Sequence, residues 1–293
     1  MSSSSLLGLP RDLRKLVYGY LLGFTLRRGF RSHANKEAHP FAWLHTCRTL
    51  YEEAYPLHLQ QLSFDFATTQ AFLDTIKTLP SAVARRMYQI RMIGYLLPLN
   101  PDTQAFATAR DAINFFPNLQ VNTLMVEDYF HGPGSGESDY LSDEMTRHQV
   151  TYLLAVDGWR TLQYVSYATG FLSLAETDQV AAWDRWMKDA YGPDSSVTVF
   201  VATKAHCPPR AYHVLLDDSA KVIDDLTNFK PWTADMVLEA STRPREVRVL
   251  ARRGSTKLTH NCRTLDIASA AFEQQYLWAA TIAEDALTTY STY

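Results

Sequence analysis

A chain of 293 residues, 46% hydrophobic and 20% charged, has the composition of a globular protein and is long enough for one large domain or two ordinary ones. Its 28 basic and 31 acidic side chains leave a net charge of −3, which argues against bulk electrostatic binding to nucleic acid or to an anionic membrane. Three scattered cysteines, Cys47, Cys207 and Cys262, form no disulfide framework and point to a reducing compartment.

The first predicted element is a helix over residues 9–22, LPRDLRKLVYGYLL. Pro10 suits a first turn, where its missing N–H costs nothing, and Asp12 favours the positive helix end. Leu13, Leu16, Val17, Tyr20 and Leu21 recur at spacings of three and four and share a face, with Arg11, Arg14 and Lys15 expected outward. Tyr18, Leu22 and Phe24 extend the apolar surface beyond one stripe. A helix apolar on two sides needs two partners, its own core and something else. The opening MSSSSLLGLPRDLRK lacks a basic leader region, and its apolar run stops at Pro10 and Arg11, too soon for a secretory signal. No apolar stretch approaches membrane-spanning length. A soluble cytoplasmic or nuclear protein is expected.

Residues 25–40, TLRRGFRSHANKEAHP, are polar and aperiodic and read as a loop. Helical spacing returns over 41–64 through Leu44, Cys47, Leu50, Tyr51 and Ala54, with Pro56 expected to break or kink the helix. Beyond this point short β-type runs appear at 62–67, 89–96, 121–128, 162–169, 196–203 and 245–252. Helical patterns separate the first five, at 68–80, 102–117, 143–158 and 177–192, several with Thr or Asp in a capping position and the last ending at Gly192. Strand–helix repetition predicts an α/β fold with mostly parallel strands, because parallel neighbours need long connections. The strand spacing is irregular and longer than the roughly 20–29 residues of an ordinary leucine-rich repeat. An irregular leucine-rich-repeat-like arc is the preferred architecture, a doubly wound sheet the alternative. Residues 269–290 form a predicted terminal helix able to cap the arc.

The chain carries little that resembles catalytic machinery. It has no Gly-rich phosphate loop, G-x-S-x-G elbow, H-E-x-x-H or C-x-x-C. Cys207 and His213, with His260 and Cys262, depart from common zinc spacings, so no metal and no cofactor is expected. Asp217, Asp218, Asp224 and Asp225 read as a solvated face. The basic run Arg243, Arg245, Arg248, Arg252, Arg253 and Lys257 reads as a charged edge strand that discourages aggregation.

The opening segment resembles the F-box. Leu9, Pro10, Asp12, Leu13, Val17, Tyr18 and Leu21 follow that family's order of Leu-Pro, an acidic residue, Leu, an apolar pair and a closing Leu. The later TCRTLYEEA resembles its second landmark, and the combination with CR-x-L-Y-x-EA-x-P-L and LSFDF is similar to F-box-like proteins of filamentous fungi. The likeness spans residues 6 to about 97. It differs in a long bridge, GFTLRRGFRSHANKEAHPFAW, and in the lack of a Trp after the Cys-Arg pair.

The strand–helix pattern predicts an α/β repeat-like domain at 61–293 with its C-terminal capping helix, and the resemblance implies an F-box-like segment at 1–60. It also implies a non-enzymatic substrate receptor of a ubiquitin ligase, docking on a Skp-type adaptor through Leu9, Pro10, Leu13, Val17 and Leu21. An unidentified protein target would be held near ubiquitin, with no nucleic acid or membrane involved. The alternative is an interaction scaffold whose F-box-like helices serve only as a structural cap.

Overall fold

A computed structural model describes residues 6–21, 25–28, 47–61, 63–78, 87–94, 97–100, 105–107, 113, 119–131, 140–173, 178–203, 226–233 and 245–254. After a short 3-10 turn at Leu6–Gly8 come helix α1 (Arg11–Leu21), strand β1 (Thr25–Arg28), helix α2 (Arg48–Gln61), strand β2 (Ser63–Phe66) and helix α3 (Thr69–Ile76). Strands β3 (Gln89–Ile93), β4 (Leu97–Asn100), β5 (Ala105–Ala107) and β6 (Val121–Glu127) follow, then helix α4 (Tyr140–Ala155) and strand β7 (Trp159–Ser166). Helix α5 (Gln179–Tyr191) and strands β8 (Ser196–Ala202), β9 (Phe229–Pro231) and β10 (Val247–Arg252) complete the described elements.

The protein is a mixed α/β structure. Its main sheet has eight strands among the described residues, in the order β1-β2-β3-β6-β7-β10-β8-β9. From β1 to β7 every neighbouring pair is parallel. The remaining three pairs are antiparallel. The hairpin β4–β5 stands as a separate two-stranded sheet.

Period-two patterning explains the register. Phe64, Ile90, Leu124, Leu162, Ala251 and Val197 lie abreast across six strands. Two residues further along, Phe66, Met92, Val126, Tyr164, Val249 and Val199 form a second row. All twelve are buried, and burying each large apolar side chain contributes about 1.5–3 kcal/mol. Helices α3, α4 and α5 pack against this face. Phe72 of α3 meets Phe66 edge-on with centroids 5.3 Å apart, Gln149 of α4 accepts from Tyr164, and Trp183 and Met187 of α5 join the same cluster. The opposite face alternates with it and carries the half-buried Gln89, Arg91, Thr123, Thr161 and Gln163 together with the buried Asp65, Met125, Glu127 and Val165.

Two of the expected N-caps and the expected C-terminal glycine are found, whereas Asp143 lies within the first turn of α4. The Thr68 side chain accepts from Ala71 N–H, Asp178 accepts from Val180 and Ala181 N–H, and Gly192 ends α5 at φ 97°. Three expectations need correction. Residues 25–28, expected as loop, form β1 and pair with β2, which ties the leading segment to the sheet. Ala105–Ala107, expected within a helix, pairs instead with β4. Of the two outcomes expected at Pro56, a break is excluded, since helix α2 runs on to Gln61. The supposed edge strand β10 is interior, bonded on one side to β7 and on the other to β8. Its Val247, Val249 and Ala251 fill the core rows, so burial rather than edge protection fixes its place. The predicted terminal helix at 269–290, the Cys207/His213/His260/Cys262 group, Asp217, Asp218, Asp224, Asp225, Arg243 and Lys257 lie outside the described residues. No helix among the described residues is long and apolar enough to cross a membrane.

Candidate docking face

Six large hydrophobic side chains are exposed among the described residues, and four of them, Leu7 (42%), Leu9 (36%), Leu13 (48%) and Leu16 (62%), stand within ten positions of one another. Scattered exposed leucines need no explanation, but four so close in sequence on and before one helix make a candidate interaction surface. Helix geometry explains how it arises. Successive residues turn by about 100° around the axis, so Leu13 and Leu16 lie together and roughly opposite Tyr18. Tyr18 is fully buried where α1 packs on α2, and the leucines face away.

The expected contact set divides accordingly. Leu9, Pro10 and Leu13 are exposed, Val17 is half-buried on the flank, and Leu21 is the last residue of α1, its side chain outside those described. Leu7 and Leu16 belong to the face although neither was in that set.

A second correction concerns Arg14, expected to point outward. It turns toward α2 and grips Glu53 with both arms, Nη2 to Oε1 at 2.6 Å and Nε to Oε2 at 2.9 Å. Only 14% and 13% of the two side chains is exposed. The Tyr18 hydroxyl donates to Glu53 Oε2 at 3.2 Å. Hydrogen bonding from Arg14 holds the Glu53 carboxyl below its ordinary 4.5. The remaining guanidinium nitrogen, Nη1, donates to the carbonyl oxygens of Leu7 at 3.2 Å and Leu9 at 2.6 Å. The sequence signal for this arrangement was an Arg and a Tyr four residues apart, a pair that shares one helix face.

A dense polar cluster lies at the far end of β6 and is buried. Asp128 Oδ2 accepts from Thr146 Oγ1 at 2.7 Å and from Ser166 Oγ at 2.8 Å, and Oδ1 accepts from Phe130 N–H. His131 sits between two carboxylates, Nδ1 3.2 Å from Asp128 and Nε2 3.3 Å from Asp143. Burial alone pushes the Asp128 carboxyl up, but hydrogen bonds from His131, Thr146 and Ser166 outweigh it and hold it below its ordinary 3.8. Ser166 directs its proton to the carboxylate, not to the imidazole, which is not the nucleophile–base pairing of a hydrolase. The cluster locks β6, α4 and β7 together. No group of three or more His, Cys, Asp or Glu suited to a metal occurs among the described residues.

Comparison with family models, with curated proteins and with solved structures finds no match to this chain.

Proposed function

We propose that the protein is an F-box-like substrate receptor whose α1 face docks on the Skp-type adaptor of a ubiquitin ligase in the cytoplasm or nucleus. The observation that carries this is the leucine cluster at Leu7, Leu9, Leu13 and Leu16, left in solvent while Tyr18 anchors the same helix from behind. Apolar surface of this kind gains most when a partner buries it, and a few central side chains then carry most of the energy. The order Leu-Pro-x-Asp-Leu with a following Cys-Arg helix supports the adaptor as the occupant. The sheet beyond, read as an irregular repeat-like arc, presents the protein target. Function then rests on proximity, because holding a target beside a ubiquitin donor raises its effective concentration without chemistry by the receptor itself.

A second reading makes the leading helices only a cap on the sheet, and the pairing of β1 with β2 favours it. Co-expression with a Skp-type adaptor and size-exclusion chromatography separates the two. A complex with wild type that a folded Leu13→Asp, Leu16→Asp variant fails to form supports docking. Wild type eluting alone rejects it. Truncating Leu13 to Ala should weaken the complex by about 2 kcal/mol if Leu13 is central to the interface.

A further inference from the structure

We infer that Arg14 is a positioning residue for this docking face, setting where Leu7 and Leu9 stand relative to Leu13 and Leu16. The inference rests on the docking role proposed above and adds the device that shapes the surface.

Leu7 and Leu9 precede or barely touch α1, and their neighbourhood offers few other restraints. The 3-10 turn is three residues long, and among the described residues its backbone closure is the single bond from Leu9 N–H to Leu6 O at 3.2 Å. No residue of that turn is buried. A segment held this lightly samples many conformations unless something else fixes it. Arg14 supplies the fixing. One nitrogen takes the carbonyls of Leu7 and Leu9, and the other two donors clamp both oxygens of Glu53 on α2. The guanidinium is therefore a three-way joint between the leading turn, α1 and α2. A planar fork with five donors can do this, and a lysine ammonium cannot reproduce the geometry.

The consequence is preorganisation. A surface already arranged before encounter avoids the ordering penalty on binding, so loss of the joint shows in affinity more than in fold. The Tyr18 ring is fully buried where α1 packs on α2, so α1 is expected to persist in an Arg14 variant while its leading leucines drift.

Two variants of the full chain test this with a purified Skp-type adaptor as the probe. Arg14→Gln should keep the circular dichroism of wild type, speed amide exchange over residues 6–9, and bind roughly tenfold more weakly. The double exchange Arg14→Glu, Glu53→Arg restores an ion pair between α1 and α2 but leaves the carbonyls of Leu7 and Leu9 without the guanidinium at position 14. Recovered thermal stability with affinity still low supports a positioning role. Recovery of both together overturns it and makes Arg14 simple glue between helices. Full affinity in Arg14→Gln likewise overturns it while leaving docking intact. Wild type that fails to bind the adaptor overturns the docking role, and this inference with it.

Discussion

Among the described residues two arginines gather backbone carbonyls, and their surroundings are opposite. Arg14 takes the carbonyls of Leu7 and Leu9 and both oxygens of Glu53 at the rim of an exposed leucine cluster. Arg253, just past β10, donates to the carbonyls of Leu154, Val156 and Trp159 and to Asp157 deep in the molecule. Its guanidinium lies 3.9 Å from the Trp159 ring centroid and 4.0 Å from that of Tyr191. Desolvation pushes its pKa down to about 10, which still leaves it charged at neutral pH. The difference separates two uses of one side chain. At the end of α4 the cation satisfies the carbonyls a helix leaves orphaned and meets the negative end of its dipole. At α1 the same chemistry holds a surface in shape.

That contrast breaks most readily at Arg253. Replacement by Ala removes a buried cation, empties a slot between two aromatic rings and strands carbonyls at the α4 terminus. A loss of about 3 kcal/mol or more is expected in urea unfolding, and a loss under about 1 kcal/mol would mean that water takes over these bonds.

Asp128 gives the next largest effect. Asp128→Ala leaves the Thr146 and Ser166 hydroxyls without their buried acceptor and should cost about 2–3 kcal/mol. The sign with pH follows from its lowered pKa. A carboxyl held below its ordinary 3.8 contributes fully above that pH and loses the contribution as pH falls through the lowered folded-state value. Melting temperatures measured downward from pH 7 should therefore fall below pH 4 in wild type and flatten in Asp128→Asn. Equal slopes in the two proteins would remove Asp128 from the acid response.

The smallest effect sharpens the other side. Leu16→Ser, at the most exposed leucine, should change stability by no more than about 0.5 kcal/mol. A larger loss would show that the leucine cluster is packed in solution and is not a free face.

Much of the sheet was legible because strands announce themselves locally. Alternation in SFDF, QIRMI and SVTVFVA located β2, β3 and β8 to within a residue or a few at each end. Parallel strands buried on both faces often read as continuous apolar runs, whereas these alternate in sequence even where, as in β2, all four positions are buried. Order across the sheet was not legible. Nothing in REVRVLAR says that the strand enters between two others, since an alternating segment suits an edge or an interior. Strand β1 escaped notice because TLRR is short and basic and owes its state to pairing with β2. At α1 the leucines were readable, and the excess of apolar surface was the signal. Arg14 was not, because a charge on a helix is outward by default and its partner Glu53 lies 39 residues away.

The interior position of β10 also has a consequence for biosynthesis. Strands β7 and β8 leave the ribosome well before β10, and between them the growing sheet keeps a gap with unpaired backbone on both sides. Closure waits for about fifty further residues, a long-range step that is slow and open to intermolecular pairing in the meantime. The nascent chain is thus most vulnerable in the interval between completing β8 and completing β10, and a chaperone that shields strand edges during that interval would act where this fold needs it.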